Sequence, residues 1–505
     1  MSTSTTIEIS ERHLNTVYLN GLDFLQVQNT TTDSEFQDDK MELVPLTPQY
    51  SETSLYSFND DILESSLPHL NPTKIRYAVI IISSIVFFFQ TFSQSVWNPI
   101  FEQTLEAFPY WTSKSLALLP IWGSVMSVIL VFPACMVINK YGLKNSLLWS
   151  CSIFTIGTLV RCLPIMYYSP AYLHLSAAFL SAGSVFMSPL MITISTQWFP
   201  KNERNMAIAV GSAGGMLGSA ATYIIGPTFV LTDGPPNPEL IRNKIMMMLY
   251  ACSATCISST TMVFLFFPKH VQPVSYTSKI SMLSHRSGDL INSFKELIIH
   301  RQMWYVLMAF ALSYSISSPW SAIIPATFSK LHVPRELSVQ CGLYLILHNF
   351  LLSLSMSAFA DKFPGYSKEI VLCSRLVSLA SLFWLMVMMN FRDHGKLSST
   401  ILVCVILVAF PYSWCNSSLL YEMGTNLMFP MAESYVGGYM TLMNNFFVDC
   451  VYLLLYAFPK FDEYWIHFGV FFCSLLSIIF LLLTPNITKE TYLYLASLEQ
   501  MLKYW

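Results

Sequence analysis

The chain has 505 residues, of which 53% are hydrophobic and only 11% are charged, whereas a soluble domain carries about 25% charged residues. Its net charge of −3 is too small to favour nucleic acid or another strongly charged partner. Apolar segments close to the ~20 residues that span a bilayer recur from Ile75 to Thr484. The composition therefore excludes an ordinary soluble protein and predicts an all-α polytopic membrane protein.

Residues 1–72 differ from the rest of the chain. They are rich in Ser and Thr, acidic in places ("DSEFQDDK"), and lack the apolar core of a cleaved signal peptide. This composition predicts a disordered tail. The stretch "DKMELV" nearly fits an acidic dileucine sorting signal, but Val44 breaks the match. A passive tail and a sorting tail both remain open.

The apolar segments predict twelve transmembrane helices in two six-helix halves, 73–267 and 302–484. The predicted spans are 75–100, 114–138, 145–165, 170–198, 205–230, 245–267, 302–328, 337–359, 368–390, 399–421, 432–458 and 464–484. A polar linker, 268–301, joins the halves, and its end, "GDLINSFKELII", has the pattern of a short amphipathic helix. Two halves around a polar loop are typical of secondary transporters.

The short loops predict the orientation. Lys and Arg are more frequent in the loops that share a side with the N-terminus, which predicts that both termini, including the tail 485–505, are cytosolic. The eleven cysteines all fall in or beside the spans without disulfide or metal-ligand spacing, so we expect small buried apolar side chains. We expect no metal and no cofactor.

The fifth span, "AIAVGSAGGMLGSAATYIIGP", carries glycines four residues apart. Gly211 and Gly215 share one face of the helix, and so do Gly214 and Gly218. Glycines at this spacing let a neighbouring helix backbone approach closely. We expect tight helix packing along this span.

Two turns repeat each other. "CMVINKYG" follows the second span and "SAFADKFPG" follows the eighth, and both place a small residue before Asn139 or Asp361 and then a lysine. They resemble the G-x-x-x-D-[RK]-x-G-R signature of the major facilitator superfamily, in which the acid pairs across helix ends and latches one conformation. The first copy departs from it at Cys135, Asn139 and Leu143. The alternative is two ordinary basic turns.

Four blocks resemble solute carrier family 49, the group of the feline leukemia virus subgroup C receptor-related transporters. They are "GTLVRCLPI" (157–165), "STQWFPKNERNMAIAV" (195–210), "IIGP" (224–227) and "NSSLLYEMGTNLMFPMAES" (416–434). Asn426 and Phe429 replace a usual Glu and Tyr of the last block. The resemblance implies a major facilitator fold and a choline, heme or vitamin B6-type substrate, the last from the closest member.

The last block contains two acids between the tenth and eleventh spans, Glu422 and Glu433. Glu433 begins the eleventh span, where the helix dipole stabilises a carboxylate. In this architecture the "KNERN" turn, with Glu203 and Arg204, lies at the same end of the bundle. We predict that these groups, together with Asp361, form a gate latch. The alternative is a helix cap beside a solvated surface acid.

Polar and aromatic residues inside spans are candidates for the substrate path, because burying them unpaired in lipid is costly. In such transporters the ligand binds near the bilayer midplane, between the halves. Gln90, Gln94 and Trp97 recur at helical spacing and share one face of the first span. The predicted substrate-binding residues are Gln90, Gln94, Trp97, Asn98, Tyr314, Trp320 and Asn445.

Local alignment with the family places the cage tryptophan of its choline carriers at Gln94, which argues against a quaternary ammonium cage here. A polar metabolite, uncharged or weakly basic, fits better. Heme would want an axial ligand, and His348 is the available histidine, although a lone histidine in a span more often bridges helices. Asp449 lies one helical turn beyond Asn445, and we predict that it couples transport to a proton.

The sequence therefore predicts a monomeric secondary transporter for a small organic metabolite, in the lysosomal or plasma membrane. The alternatives are a heme transporter, a non-transporting receptor of the same fold and, least favoured, a channel. A membrane enzyme is disfavoured because the chain has no HExxH, GxSxG or P-loop pattern.

Overall fold

The computed structural model describes residues 74–112, 115–116, 118–230, 237–269, 290–315, 317, 319, 334–390, 399–429, 431–457 and 463–484. The described residues are helical apart from short connections. The α-helices are α1 Ile75–Ser95, α2 Phe101–Ala107, α3 Ile121–Val160, α4 Pro170–Ser184, α5 Met187–Trp198, α6 Arg204–Val230, α7 Pro238–Phe266, α8 Leu290–Ile299, α9 Arg301–Ser315, α10 Arg335–Lys362, α11 Ser367–Asn390, α12 Ser399–Trp414, α13 Ser417–Leu427, α14 Glu433–Ala457 and α15 Glu463–Leu483. Pro164–Tyr167 and Lys201–Glu203 form short 3₁₀ turns.

These helices fall on all twelve predicted spans. Eight helical segments of the described chain are long and apolar enough to cross a membrane. The helix α3, which has 40 residues, covers most of the second and third predicted spans, which are joined at a kink where Gly142 has non-helical dihedrals. The fourth and tenth spans are each divided in two, as α4–α5 and α12–α13. The predicted amphipathic helix before the second half is present as α8.

The two signature-like turns have the same backbone conformation at their glycine. Gly142 and Gly365 both adopt positive φ, 77° and 96°, a conformation that glycine adopts without a steric penalty. Each turn is followed by a lysine that caps another helix of its own half. Lys144 donates to two carbonyls at the end of α7, at 2.9 and 2.6 Å, and Lys368 donates to two at the end of α15, at 3.1 and 2.5 Å. The turns and their lysine caps are therefore equivalent in the two halves.

The end of the bundle that carries these two turns is called the signature end below. An α-helix rises 1.5 Å per residue. Along α14, Asp449 is therefore about 24 Å from Glu433, which lies at the signature end. Along α3, Ser124 is about 27 Å from Gly142, which lies at the same end. Asp449 and Ser124 consequently lie toward the opposite end.

Small residues set the closest helix contacts. On α6, a Cβ at Gly214 would overlap the backbone carbonyl of Ser84, and one at Gly218 would overlap that of Phe88. The predicted close approach along the glycine-rich span is therefore confirmed, and the neighbour is α1. The largest buried cluster also includes side chains of both halves, such as Leu190 on α5 and Val436 on α14. The two halves thus share part of one core.

Candidate functional site

Asp361, at the end of α10, contacts the first turn of α6. Its carboxylate accepts hydrogen bonds from the backbone N–H groups of Asn205 (3.2 Å) and Met206 (2.8 Å), and from the Asn205 side-chain amide (2.9 Å). Backbone N–H groups at a helix N-terminus have no intrahelical partner, and the helix dipole favours negative charge there. An acid of the second half therefore caps a helix of the first half, and we call this contact the charged latch.

The equivalent turn of the first half contacts the start of α14. The Ser434 hydroxyl donates to the side-chain oxygen of Asn139 at 2.6 Å, and the Cys135 thiol donates to the Ser434 carbonyl at 3.0 Å. Cys135 is fully buried, and a Cβ at Gly438 would overlap its sulfur. This second contact between the halves, the neutral latch, has no ionised group on either Cys135 or Ser434.

The predicted gate acids lie at this same end. Glu422 on α13 and Arg204 on α6 are both buried and approach to 4.0 Å, so the "KNERN" turn lies next to one acid of the 416–434 block. Glu433 is the first residue of α14 and is buried. Glu203 instead pairs with Arg76 of α1, at 3.0 Å. The sequence analysis did not identify Arg76 as a candidate. A lysine or arginine at the start of a first span is expected in any membrane protein whose N-terminus is cytosolic, so its presence there indicated no pairing.

The predicted substrate residues of the first span contact the first half. The Gln90 amide donates to Ser150 at 3.1 Å, and the Gln94 amide donates weakly to Ser181 at 3.4 Å. Trp97 packs edge-to-face on Trp111, with ring centroids 5.8 Å apart. These contacts place the shared face of the span against α3, α4 and the segment before α3, rather than directly on the second half.

The remaining predicted substrate residues are in the second half, and the two that the structure describes, Tyr314 and Asn445, bond to different helices. The Tyr314 hydroxyl donates to the Trp414 carbonyl, and the Asn445 amide donates to the Thr441 carbonyl of its own helix at 2.8 Å. Trp320 lies outside the described residues. His348 places Nδ1 2.7 Å from the Leu407 carbonyl, so it bridges α10 and α12.

Asp449 joins the halves toward the opposite end. Its carboxylate accepts a hydrogen bond from the hydroxyl of Ser124 on α3. The neighbouring residue, Gly123, packs near Gln94, whose amide nitrogen would lie 3.7 Å from a Cβ built at that glycine. Asp449, the start of α3 and Gln94 therefore form one neighbourhood at the boundary between the halves. The sequence singled out Asp449 and Gln94, but Ser124 carried no signal, because serine is common in these spans.

A cavity of about 190 Å³ lies next to this neighbourhood, inside the first half. Three predicted substrate residues line it: Gln94, Trp97 and Asn98. Arg161, which follows α3, also lines it together with Ser181. Asn98 is the exposed member of this set. Among the described residues there is no group of three or more His, Cys, Asp or Glu side chains that could hold a metal ion.

Helices in two equivalent halves, which contact each other through polar groups at one end and through an acid toward the other, are the layout of secondary transporters. The sequence model of the Major Facilitator Superfamily matches residues 80–449. The chain belongs to this superfamily, whose members are secondary transporters and not enzymes, and it is an integral multi-pass membrane protein.

Similar proteins agree with this assignment. The chain is 22% identical over 396 residues to a solute carrier family 49 member 4 homolog of Xenopus tropicalis, covering 75% of this chain and 84% of the relative. It is 22% identical over 315 residues to the choline/ethanolamine transporter flvcr2a of Danio rerio, covering 61% and 64%. A solved structure of the E. coli fucose:proton symporter FucP has the same fold, with a TM-score of 0.63 at 10% identity, covering 80% of this chain and 98% of that one. The resemblance to family 49 read from the four sequence blocks is thus confirmed as a relationship.

Proposed function

We propose that this protein carries a small polar organic metabolite, uncharged or weakly basic, and that a proton is taken up and released at Asp449 during each cycle. The observation that carries this proposal is the hydrogen bond from Ser124 to Asp449, which links the two halves. Alternating access moves one half against the other. The contact must therefore break and reform, and the carboxylate then alternates between a dry and a wet surrounding.

A vitamin B6-type compound is the proposed substrate. The four sequence blocks resemble the family 49 member named disrupted in renal carcinoma protein 2, and this resemblance implies such a compound, whereas a choline/ethanolamine transporter is among the relatives. Gln94 stands where the choline carriers have a cage tryptophan, and Trp97 packs on Trp111. The neighbourhood of Asp449 offers amide and hydroxyl groups, which favours a hydrogen-bonding ring over a quaternary ammonium that needs aromatic faces.

We also propose that the charged latch, the neutral latch and the Arg204–Glu422 pair are the gate at the signature end. The bias of Lys and Arg in the loops supports placing this end and both termini in the cytosol. The resemblance to family 49 supports a lysosomal or plasma membrane location.

The test is initial uptake of radiolabelled pyridoxine, choline and ethanolamine by the full-length protein in proteoliposomes, with and without an imposed pH gradient. We expect Asp449→Asn to keep substrate binding and to lose most of the response of pyridoxine uptake to the gradient. Ser124→Ala is the matched control, because it removes the same hydrogen bond but keeps the carboxylate, and it should retain the response.

Two outcomes would contradict the proposal. Equal responses of the wild-type protein and Asp449→Asn would remove Asp449 from proton coupling. Saturable binding of pyridoxine without uptake, in vesicles whose protein is folded, would indicate a receptor with this fold.

A further inference from the structure

Helix α8, which precedes the second half, places one aromatic side chain against both halves. The ring of Phe294 packs edge-to-face on Phe132 of α3, with ring centroids 4.3 Å apart. It also packs edge-to-face on Tyr439 of α14, with ring centroids 5.5 Å apart. Edge-to-face pairs at these distances are favourable beyond the area that they bury. Phe294 therefore connects the first half to the second.

The end of α8 is attached to the second half. The Trp304 indole on α9 donates to the Ile298 carbonyl at 2.7 Å, and the backbone N–H of Met303 donates to Nδ1 of His300 at 3.3 Å. Trp304 also packs edge-to-face on Tyr439, with ring centroids 6.2 Å apart. The helices α8, α9 and α14 thus form one unit, and α8 should move with this unit when the halves move.

Phe294 lies beside the neutral latch. Phe132 and Cys135 are three residues apart on α3 and are therefore neighbours on its surface. On α14, Tyr439 directly follows Gly438, and a Cβ at Gly438 would overlap the Cys135 sulfur. The ring contacts of Phe294 consequently span the same two helices as the neutral latch, next to the contact between Gly438 and Cys135.

We infer that α8 is a strap that holds the signature end closed, and that the contact between Phe294 and Phe132 must break before α3 and α14 separate there. Alternating access moves one half against the other. A ring that stays with α14 cannot keep its contact on α3 during that movement. The inference rests on the proposed gate at the signature end, and it adds part of the linker between the halves to that gate.

The first test removes the bridging ring. In Phe294→Ala, the maleimide labelling rate of Cys135 in the purified full-length protein should rise roughly twofold to tenfold, the factor that corresponds to one lost aromatic pair. Ile299→Ala is the matched control, because Ile299 ends the same helix and is 69% exposed. This control should label like the wild-type protein. Should Phe294→Ala not fold, Phe132→Leu replaces it, since this change removes the other ring of the contact and keeps an apolar side chain.

The second test ties α8 to one half or to the other. A short bifunctional methanethiosulfonate reagent links Phe132→Cys to Phe294→Cys, which joins the halves, or Phe294→Cys to Tyr439→Cys, which joins α8 to its own half. Peptide mass spectrometry identifies the links, and each protein is compared with its own reduced form. The first link should lower the labelling rate of Cys135 at least roughly tenfold, because it holds the closed state covalently rather than by one aromatic pair. The second link is the matched control and should leave the rate unchanged.

Two results would overturn the strap: equal labelling of the wild-type protein and Phe294→Ala, or equal labelling of the two linked proteins. If Asp361→Ala still raised the labelling of Cys135 in the same assay, the gate at the signature end would stand and the strap alone would fail. If no variant changed the labelling, the proposed gate would fail and the strap with it. The assay contains no substrate, so its result does not depend on whether pyridoxine is carried.

Discussion

The charged latch and the neutral latch occupy equivalent places in the two halves and hold the opposite half by different chemistry. Asp361 receives three hydrogen bonds, two of them from backbone N–H groups at the start of α6. Asn139 accepts a hydrogen bond from the Ser434 hydroxyl at the start of α14. Hydrogen bonds to an ionised group are roughly twice as strong as those between neutral groups, so the two sides of the signature end hold with unequal strength.

The neutral latch has two features that offset its missing acid. Gly438 lets α14 approach Cys135 closely, so the small residue expected on the turn is found on the facing helix instead. Glu433 places a carboxylate on the first residue of α14 itself, where the helix dipole stabilises it. At the neutral latch the small residue and the carboxylate therefore lie on the facing helix, α14, and not on the turn itself.

Removing the acid of the charged latch should have the largest effect. In Asp361→Ala the N–H groups of Asn205 and Met206 lose their acceptor, and lost hydrogen bonds to a charged group cost about 1.5–3 kcal/mol each. We expect the signature end to open more often. The measurement is the maleimide labelling rate of Cys135, resolved by peptide mass spectrometry because Cys373, Cys404 and Cys450 are exposed.

The labelling rate of Cys135 should rise at least about tenfold, the factor that corresponds to 1.4 kcal/mol. Asp361→Asn, which keeps an acceptor oxygen but loses the charge, should fall between the wild-type protein and Asp361→Ala. Labelling of Asp361→Ala at the wild-type rate would show that this acid does not hold the halves together.

The sequence predicted the helical architecture, and it placed the "KNERN" turn at the same end of the bundle as Glu422, but it did not predict which way the polar side chains face. In lipid, every backbone N–H and C=O group must form its hydrogen bond within its own segment, which requires helices. Apolar stretches long enough to cross a bilayer therefore located all twelve spans. Periodicity placed Gln90, Gln94 and Trp97 on one face, yet whether that face meets its own half or the other depends on packing. Asp449 and Ser124 are 325 residues apart in the chain. Nothing in an aspartate or a serine indicates which distant residue will be its hydrogen-bond partner.

The neutral latch should be more sensitive to packing than to charge. Gly438→Ala would force a Cβ against the Cys135 sulfur, and overpacking of this kind costs about 1–3 kcal/mol. We expect a lower thermal unfolding midpoint in purified protein. The second substitution Cys135→Gly makes room for the new methyl group and should recover most of the loss, whereas Cys135→Gly alone should not raise the midpoint. If the double variant were no more stable than Gly438→Ala, the clash would lie elsewhere.

The smallest effect should come from the charge of Glu433. Glu433→Gln keeps the shape of the side chain and removes its interaction with the N-terminal dipole of α14, which is typically worth about 0.3–1 kcal/mol. We therefore expect Cys135 labelling to rise roughly twofold to fivefold, less than in Asp361→Ala. Glu203→Gln is the matched control, since Glu203 pairs with Arg76 inside the first half, and it should label like the wild-type protein. If Cys135 were labelled as fast in Glu433→Gln as in Asp361→Ala, the two latches would contribute equally to closing the signature end. Glu433 would then act in place of the acid that is missing at Asn139. A rate equal to that of the wild-type protein would leave Glu433 as a helix cap without a part in the gate.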